Sequence, residues 1–544
     1  MNNVIEKNRL LFFILLGFLV FFPFLGSVHL FDWDEANFAE LSREMVLTKN
    51  YLQPQINYLP FYEKPPIFIW MQVLCMQLFG INEFAARCPN ALLGILVMIS
   101  LYLIGKREKD SKFGLTWILT FMGSFLPFMY FRTGLIDPWF NFFMFLGLYF
   151  YYISTKPKEN QDLKYQLLFL IFSSIFLGLA VQTKGPVALI IVWGSIGIYW
   201  LITKFKSFPG IFKIGFWVLT TLIFSSIWFV YEYYVHGSGY MSEFIAYQIR
   251  LFTTEDALHG GPIYYHVLVL LLGCFPASII LLFHRDWKEK LRSDWFKIMC
   301  ICGLLVLILF SIVQTKIIHY SSMAYYPISY IAAIILYQNT IKYRNWLNRV
   351  LTFIILLLIF GTIAMPILGN NLQMILPFID DKQAQLQLGA HVDWHYGEVG
   401  YGIFILALFI YLRRKFVDNF YPYFFSTATI VLVLLIVFAP KIERYTQGTY
   451  IDFCKTKKGK DVYIQPLFLK SYANLFYSER MPFNNDTSRN HGWMYDGDID
   501  KDVFFISVTK DSLLTRYPRP YIQILERKNG FDFMERKVSR IPRN

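Results

Sequence analysis

The chain has 544 residues, of which 56% are hydrophobic and 19% aromatic, while only 16% are charged. This balance excludes an ordinary soluble globular protein and predicts an all-α polytopic membrane protein. The formal net charge is +13, but the basic residues lie in short clusters between apolar runs. The charge therefore indicates orientation in a membrane, and no nucleic-acid partner is expected.

Apolar runs long enough to cross a bilayer as helices predict about thirteen spans. The connectors between them alternate between rich and poor in lysine and arginine, and the positive-inside rule then places the N-terminus in the cytoplasm. With an odd number of spans, the last hundred residues emerge on the external side. The predicted spans are about 10–30, 87–105, 113–131, 139–154, 166–182, 186–203, 214–231, 263–283, 297–313, 322–337, 349–368, 398–413 and 421–439.

The composition divides the chain into an apolar body, residues 1–440, and a polar tail, residues 441–544. The body contains a first external loop at about 31–86. In the tail, the β-like runs DVYIQPLFL and DVFFISV are separated by turn-forming segments. The tail is expected to form a small external α/β or α+β domain.

On this topology the ionisable residues of the external connectors all face the same side of the membrane. No glycine loop followed by Lys-Ser/Thr is present, and cytosolic nucleotides would need the other face, so a nucleotide donor is disfavoured. The residues are Asp34, Glu35, Glu63 and Lys64, then Arg132 and Asp137, then Lys184, then Arg250, Asp256 and His259, and finally Lys316 and His319.

Cations and carboxylates at one membrane face suit chemistry on an anionic, lipid-linked substrate. Lysine or arginine can neutralise a phosphate leaving group whose charge grows as its bond to a sugar breaks. A carboxylate can take a proton from an acceptor hydroxyl or stabilise positive character at the sugar carbon.

Two stretches of the first loop carry a family resemblance: DWDEANFAELSREM, which begins at Asp32, and LPFYEKPPIFIW, which contains Lys64. They resemble the first external loop of bacterial aminoarabinose transferases and related protein O-mannosyltransferases. Those enzymes are integral-membrane glycosyltransferases of the C-type fold that use polyprenyl-phosphate sugars. RTGLIDPWFNFF, GLAVQTKGPVALI, FTTEDALHGGPIYYH and FSIVQTKIIHY match in the same order. The resemblance covers residues 1–340, and the remainder matches in layout.

The resemblance implies roles for individual residues. Asp34 would be the leading catalytic carboxylate, Asp137 the second acidic residue of the cavity, and Lys64 the ligand of the donor phosphate. The other implied phosphate or substrate contacts are Glu35, Tyr62, Lys184, Arg250, Lys316 and His319. A divalent metal would be held by Glu63, with His259 as a further candidate ligand. Gln248 stands where the family's metal-binding histidine would align, so the sequence departs from the pattern there.

Structural roles for the same residues stay open at this point. Asp34 and Glu35 could charge the first turn of an interfacial helix, and Glu63 and Lys64 could form a surface ion pair. Asp137 before Pro138 is a natural helix start. Lys184 could snorkel at a helix end.

The sequence thus predicts a monomeric bacterial inner-membrane enzyme that transfers a sugar with inversion from a polyprenyl-phosphate donor. A lipid A-like acceptor and a serine or threonine hydroxyl both remain open. Two other classes stay open. A transporter or flippase for a lipid-linked sugar would place ionisable groups near the middle of the membrane, and a non-catalytic receptor or assembly factor would bind a partner through the external tail.

Overall fold

The computed structural model describes residues 2–156, 162–254, 260–284, 293–341, 343–482, 491–509 and 519–538. Helices make up most of the chain as far as residue 456, and a small sheet with short helices follows. The α-helices are Asn2–Phe21, Asp34–Thr48, Ile67–Phe79, Glu83–Glu108, Ser111–Met122, Phe125–Met129, Asp137–Thr155, Leu163–Lys184, Val187–Ile202, Ile211–His236, Gly239–Thr253, Tyr265–Gly273, Ala277–Leu282, Asp294–Ile312, Tyr325–Gln338, Arg344–Asn370, Leu372–Ile375, Lys382–Leu388, Val399–Lys415, Tyr421–Val433, Ala439–Glu443, Thr449–Thr456, Ala473–Tyr477 and His491–Asp496.

Seven described helices are long and apolar enough to cross a membrane, and an eighth span results if one bent pair counts as a single crossing. That pair, Ser111–Met122 and Phe125–Arg132, bends by 85°. The predicted count of thirteen is not confirmed. The seven are Glu83–Glu108, Leu163–Lys184, Ile211–His236, Asp294–Ile312, Arg344–Asn370, Tyr396–Lys415 and Tyr421–Thr456.

Several predicted spans are helical but short or interrupted. The run 263–283 is split into Tyr265–Gly273 and Ala277–Leu282, because Pro276 between them lacks the N–H that a continuous helix needs. The run 322–337 begins with a 3₁₀ turn, Ile318–Ala324, before the helix Tyr325–Gln338.

Polar side chains fix where several of the long helices begin. Asn82 accepts a hydrogen bond from the Ala85 amide at 2.9 Å, and Asp110 accepts one from the Phe113 amide at 2.8 Å. These side chains satisfy backbone donors that the first turn of a helix leaves without a partner.

The first loop is a folded layer rather than an extended connector. It contains the helices Asp34–Thr48 and Ile67–Phe79, joined by a hairpin of Gln55–Ile56 and Leu59–Pro60. The residues from Glu35 to Met45 are buried. An almost wholly buried helix must be covered on both faces, so the loop lies between the membrane helices and another layer.

The tail supplies that second layer. Its strands are Tyr463–Pro466, Val503–Val508, Gln523–Lys528 and Phe531–Arg536, and they form a four-stranded mixed sheet. In space the third and fourth strands exchange places, and the first pair is parallel while the others are antiparallel. Both β-like runs of the sequence contain one of these strands.

One apolar cluster joins the first loop to the tail. It includes Ala36 and Met76 from the loop together with Ile451, Phe476 and Ile506 from the tail. The helix that leads into the tail runs without a break from Tyr421 to Thr456 and has π-helical turns at Leu434–Phe438 and Arg444–Gly448. The division at 440/441 therefore falls inside a helix and stays a prediction.

Candidate functional site

A cavity of about 320 Å³ lies between the first loop and the ends of the membrane helices. Several separate parts of the chain bring ionisable side chains to it, as expected from their placement on one face. Of the residues singled out in the sequence, the cavity is lined by Asp34, Glu35, Glu63, Lys64, Arg132, Asp137, Lys184 and His319.

A chain of charged groups runs across this cavity. The Nε2 atom of His319 lies 3.2 Å from Oδ2 of Asp34 and 3.5 Å from Oδ2 of Asp137. The other oxygen of Asp137 accepts a hydrogen bond from Lys184 Nζ at 2.5 Å. His319 therefore joins the two carboxylates, and Lys184 balances the charge of the second.

The ends of local elements position each of these groups. Asp34 and Asp137 are the first residues of their helices, where the partial positive charge of the N-terminus favours a carboxylate. Lys184 is the last residue of its helix, before Gly185 at a φ of 125°. His319 lies in the 3₁₀ turn Ile318–Ala324. Helix termini therefore converge on the cavity from several directions.

Asp34 is ionised at neutral pH. Burial raises the pKa of its carboxyl, but the hydrogen bond and charge of His319, with the charges of Lys64 and Lys184, outweigh burial and hold the pKa below its usual value. A carboxylate with a depressed pKa is a weak general base near neutral pH.

Lys64 occupies another wall of the cavity, against helix Gly239–Thr253. Its Nζ donates a hydrogen bond to the Tyr247 hydroxyl at 3.2 Å and lies 4.5 Å from the centre of that ring. Burial lowers the pKa of Lys64, and the neighbouring Glu63 opposes that effect. A partly desolvated ammonium of this kind interacts strongly with an anion that enters the cavity.

Glu35 lines the cavity but is held in a buried ion pair. Its Oε2 lies 2.7 Å from Arg87 Nη2, and its Oε1 accepts from Arg87 Nε at 3.0 Å. Glu35 also accepts hydrogen bonds from the amides of Phe31 at 2.9 Å and Gly134 at 2.5 Å. Both oxygens are thus engaged in joining the first loop to two neighbouring segments.

Three of the sequence-predicted contacts lie outside this group. The Lys316 ammonium donates to the carbonyls of Phe310, Ser311 and Val313 at the end of helix Asp294–Ile312. It closes that helix rather than lining the cavity. Arg250 is exposed and lies over the Tyr247 ring at 5.1 Å, while Tyr62 packs against Tyr240 at 5.4 Å between ring centres.

The predicted metal ligands do not assemble into a ligand set in the part of the chain that is described. No group of three His, Cys, Asp or Glu suited to a metal occurs among those residues. Glu63 lines the cavity. Gln248 has an amide in place of the histidine that the family pattern would have, and His259 lies outside the described residues.

The structure adds three residues that the sequence did not single out: Tyr247, Arg87 and Asp32. All three line the cavity. Burial raises the pKa of Asp32 to about 7, while a hydrogen bond from Ser471 opposes the rise. The sequence could have indicated Asp32 as a cavity residue, because it lies two residues before Asp34. Tyr247 and Arg87 gave no local signal, because their roles depend on partners distant in sequence.

Comparison with known proteins agrees with this architecture. Residues 63–231 match the dolichyl-phosphate-mannose-protein mannosyltransferase family. An uncharacterized protein of Aquifex aeolicus (strain VF5) is 28% identical over 370 residues, which cover 66% of this chain and 70% of the relative.

Two further similarities span nearly the whole chain. The undecaprenyl phosphate-alpha-4-amino-4-deoxy-L-arabinose arabinosyl transferase of Wigglesworthia glossinidia brevipalpis is 23% identical over 94% of this chain and 87% of its own. The crystal structure of ArnT from Cupriavidus metallidurans bound to undecaprenyl phosphate has the same fold, with a TM-score of 0.74 at 16% identity over 98% of this chain and 99% of that one. The protein is therefore an integral-membrane glycosyltransferase that uses a lipid-linked sugar, and it is similar to the aminoarabinose transferases over nearly its whole length and to the protein mannosyltransferase family over residues 63–231.

Proposed function

We propose that this enzyme transfers a sugar from a polyprenyl-phosphate donor to a lipid A-like acceptor at the external face of a bacterial inner membrane. The observation that carries the proposal is the single cavity in which Lys64 and Lys184 stand with Asp34, Asp137 and His319. Such a site can hold an anionic leaving group and an acceptor together.

The donor phosphate binds at Lys64 in this proposal. An acceptor oxygen attacks the sugar carbon from the opposite face, and the bond from that carbon to the lipid phosphate oxygen breaks. The leaving phosphate keeps the electron pair, and Lys64 neutralises the charge that develops. One displacement inverts the configuration at the sugar carbon. ArnT from Cupriavidus metallidurans has a similar fold and was crystallised bound to undecaprenyl phosphate, which supports a donor of this class.

The electrostatics of Asp34 favour a phosphate as the acceptor group. A phosphate oxygen is already ionised and needs no base, whereas a serine or threonine hydroxyl must lose a proton. Because His319 and the two lysines depress the pKa of Asp34, this carboxylate is better suited to orienting the acceptor than to deprotonating it. Lys184, paired with Asp137 at 2.5 Å, would offset repulsion between the acceptor and the carboxylates.

Transfer to serine or threonine is the second candidate. The match of residues 63–231 to the mannosyltransferase family favours it. On that path Asp34 would accept the hydroxyl proton and His319 would hold the carboxylate in place.

No step of this mechanism passes through a metal. Glu63 is the one predicted metal ligand that reaches the cavity among the residues described, and the amide of Gln248 is a poor substitute for an imidazole.

The orientation that accompanies the proposal has a cytoplasmic N-terminus and an external tail, residues 441–544.

The proposal is tested with purified enzyme, undecaprenyl-phosphate aminoarabinose, and either lipid A or a serine- and threonine-containing peptide. We expect transfer to lipid A, and we expect Asp34→Asn to lower kcat by about 100-fold or more. Asp380→Asn, which changes an exposed carboxylate outside the cavity, is the matched control. Equal transfer by wild type and Asp34→Asn would contradict the assigned site, and transfer to the peptide alone would favour the second candidate.

A further inference from the structure

A second cavity, of about 230 Å³, lies between the first loop and the tail. Trp33 lines both this cavity and the larger one, so the two are separated by the residue that precedes Asp34. The remaining walls come mainly from the tail segment that contains Lys470, Tyr472 and Asn474, with Asn57 from the hairpin of the first loop. This space has no role in holding the donor as described above.

The charge of the lining favours an anion. Lys470 and Arg480 are lining residues, and no acidic residue of the described chain is among the others. The Lys470 ammonium lies 4.5 Å from the centre of the Trp33 ring, and the Trp33 and Tyr472 rings are 5.4 Å apart. Lys470 is otherwise exposed, so its charge is available to a bound group.

Two buried amide oxygens of the lining lack donors. Oδ1 of Asn57 and Oδ1 of Asn474 have no hydrogen-bond partner among the described residues. Asn474 is only 4% exposed, and its Nδ2 donates to the Ile464 carbonyl at 2.9 Å, which fixes the orientation of the amide. A buried acceptor without a donor is unfavourable, and a ligand hydroxyl would supply the missing donor.

Cations, aromatic rings and acceptor oxygens together match a phosphorylated saccharide. We infer that this cavity is a subsite for the sugar-phosphate headgroup of a glycolipid acceptor, which it holds beside Asp34. The inference deepens the proposed function and rests on it. It gives the tail a part in choosing the acceptor, because the tail supplies most of the subsite.

Two substitutions test the subsite without removing buried packing. Asn57 has a φ of 54°, which glycine adopts freely, so Asn57→Gly deletes the amide without backbone strain. Lys470→Ala deletes an exposed cation. The matched controls are Asn339→Gly, at a φ of 54°, and Lys528→Ala, on the exposed outer strand.

In transfer assays with lipid A, each test variant should raise the acceptor KM by about three- to tenfold, the effect of one lost polar contact. The KM for the donor and kcat should stay within twofold of wild type, and both controls should match wild type. Unchanged acceptor KM values, or an equal rise in the donor KM, would overturn the inference.

Direct binding separates this inference from the proposed function. Saturation-transfer NMR should detect N-acetylglucosamine 1-phosphate bound to wild-type enzyme and weaker binding to both test variants. Inorganic phosphate alone should compete poorly, because it cannot supply the sugar hydroxyls. Binding of this probe without any transfer would support the subsite while contradicting the proposed function. Transfer to lipid A without probe binding, or transfer to a peptide alone, would overturn the subsite and leave the glycosyltransferase activity standing.

Discussion

The buried ion pair of Glu35 and Arg87 gives a prediction that separates support of the site from chemistry within it. In Glu35→Gln the guanidinium of Arg87 keeps its contacts to the carbonyls of Leu25, Val28 and His29 but loses its counter-charge. Removing one partner of a buried pair typically costs about 3–5 kcal/mol. We therefore expect the midpoint of thermal unfolding to fall by roughly 5 °C or more.

The assay is thermal unfolding of the purified protein in detergent, followed by tryptophan fluorescence, with transfer activity measured well below both midpoints. Arg87→Met alone should destabilise to a similar extent, and Glu35→Gln with Arg87→Met should recover part of the loss, because neither charge is then left unpaired. Glu526→Gln, at an exposed position on an outer strand, is the control. An unchanged midpoint together with a 100-fold loss of transfer would refute this reasoning and make Glu35 a substrate contact.

Three further predictions concern Lys64, Lys316 and Asp32. Because burial lowers the pKa of Lys64, kcat/KM for the donor should decline as pH rises, starting below about pH 10. Lys64→Arg should keep its activity further into the alkaline range, and identical pH profiles for the two proteins would contradict this prediction. Lys316→Met should lower the unfolding midpoint, because a hydrogen bond to a charged group typically contributes about 1.5–3 kcal/mol to stability. The donor KM should stay at the wild-type value, and a raised donor KM would indicate that Lys316 contacts the substrate. Burial raises the pKa of Asp32 to about 7, so ionisation of this carboxyl destabilises the fold by about 4 kcal/mol in total as pH rises from about 4 to about 7. Asp32→Asn should therefore raise the unfolding midpoint at pH 8 and leave it nearly unchanged at pH 4. Equal shifts of the midpoint at both pH values would contradict this assignment.

The sequence predicted which residues meet in the cavity better than it predicted what each one does there. Asp34, Lys64, Asp137, Lys184 and His319 line one cavity, because loops on the same side of a helical bundle converge at one end. Their catalytic roles stay predictions. The same reasoning placed Lys316 with them, but an ammonium near a helix end can turn back to the helix carbonyls, and spacing does not distinguish these orientations.

Partners distant in sequence explain most of what the sequence did not indicate. The pairing of Arg87 with Glu35 and of Tyr247 with Lys64 depends on how helices and loops pack. The predicted number of spans stays unconfirmed, because hydropathy detects apolar runs but not breaks such as the one at Pro276. The strand order of the tail depends on pairings between separated strands, which composition does not encode.

In the proposed mechanism Lys64 binds the donor phosphate and Asp34 acts in the transfer step, and one paired measurement tests these separate roles most directly. The affinity for undecaprenyl phosphate and the rate of a single turnover are measured for wild type, Lys64→Ala and Asp34→Asn. We expect Lys64→Ala to weaken binding by about tenfold or more, as the loss of a charge-assisted contact implies. Asp34→Asn should bind undecaprenyl phosphate as wild type does but turn over at least about 100-fold more slowly. Wild-type affinity in Lys64→Ala, or an undiminished turnover rate in Asp34→Asn, would contradict the account.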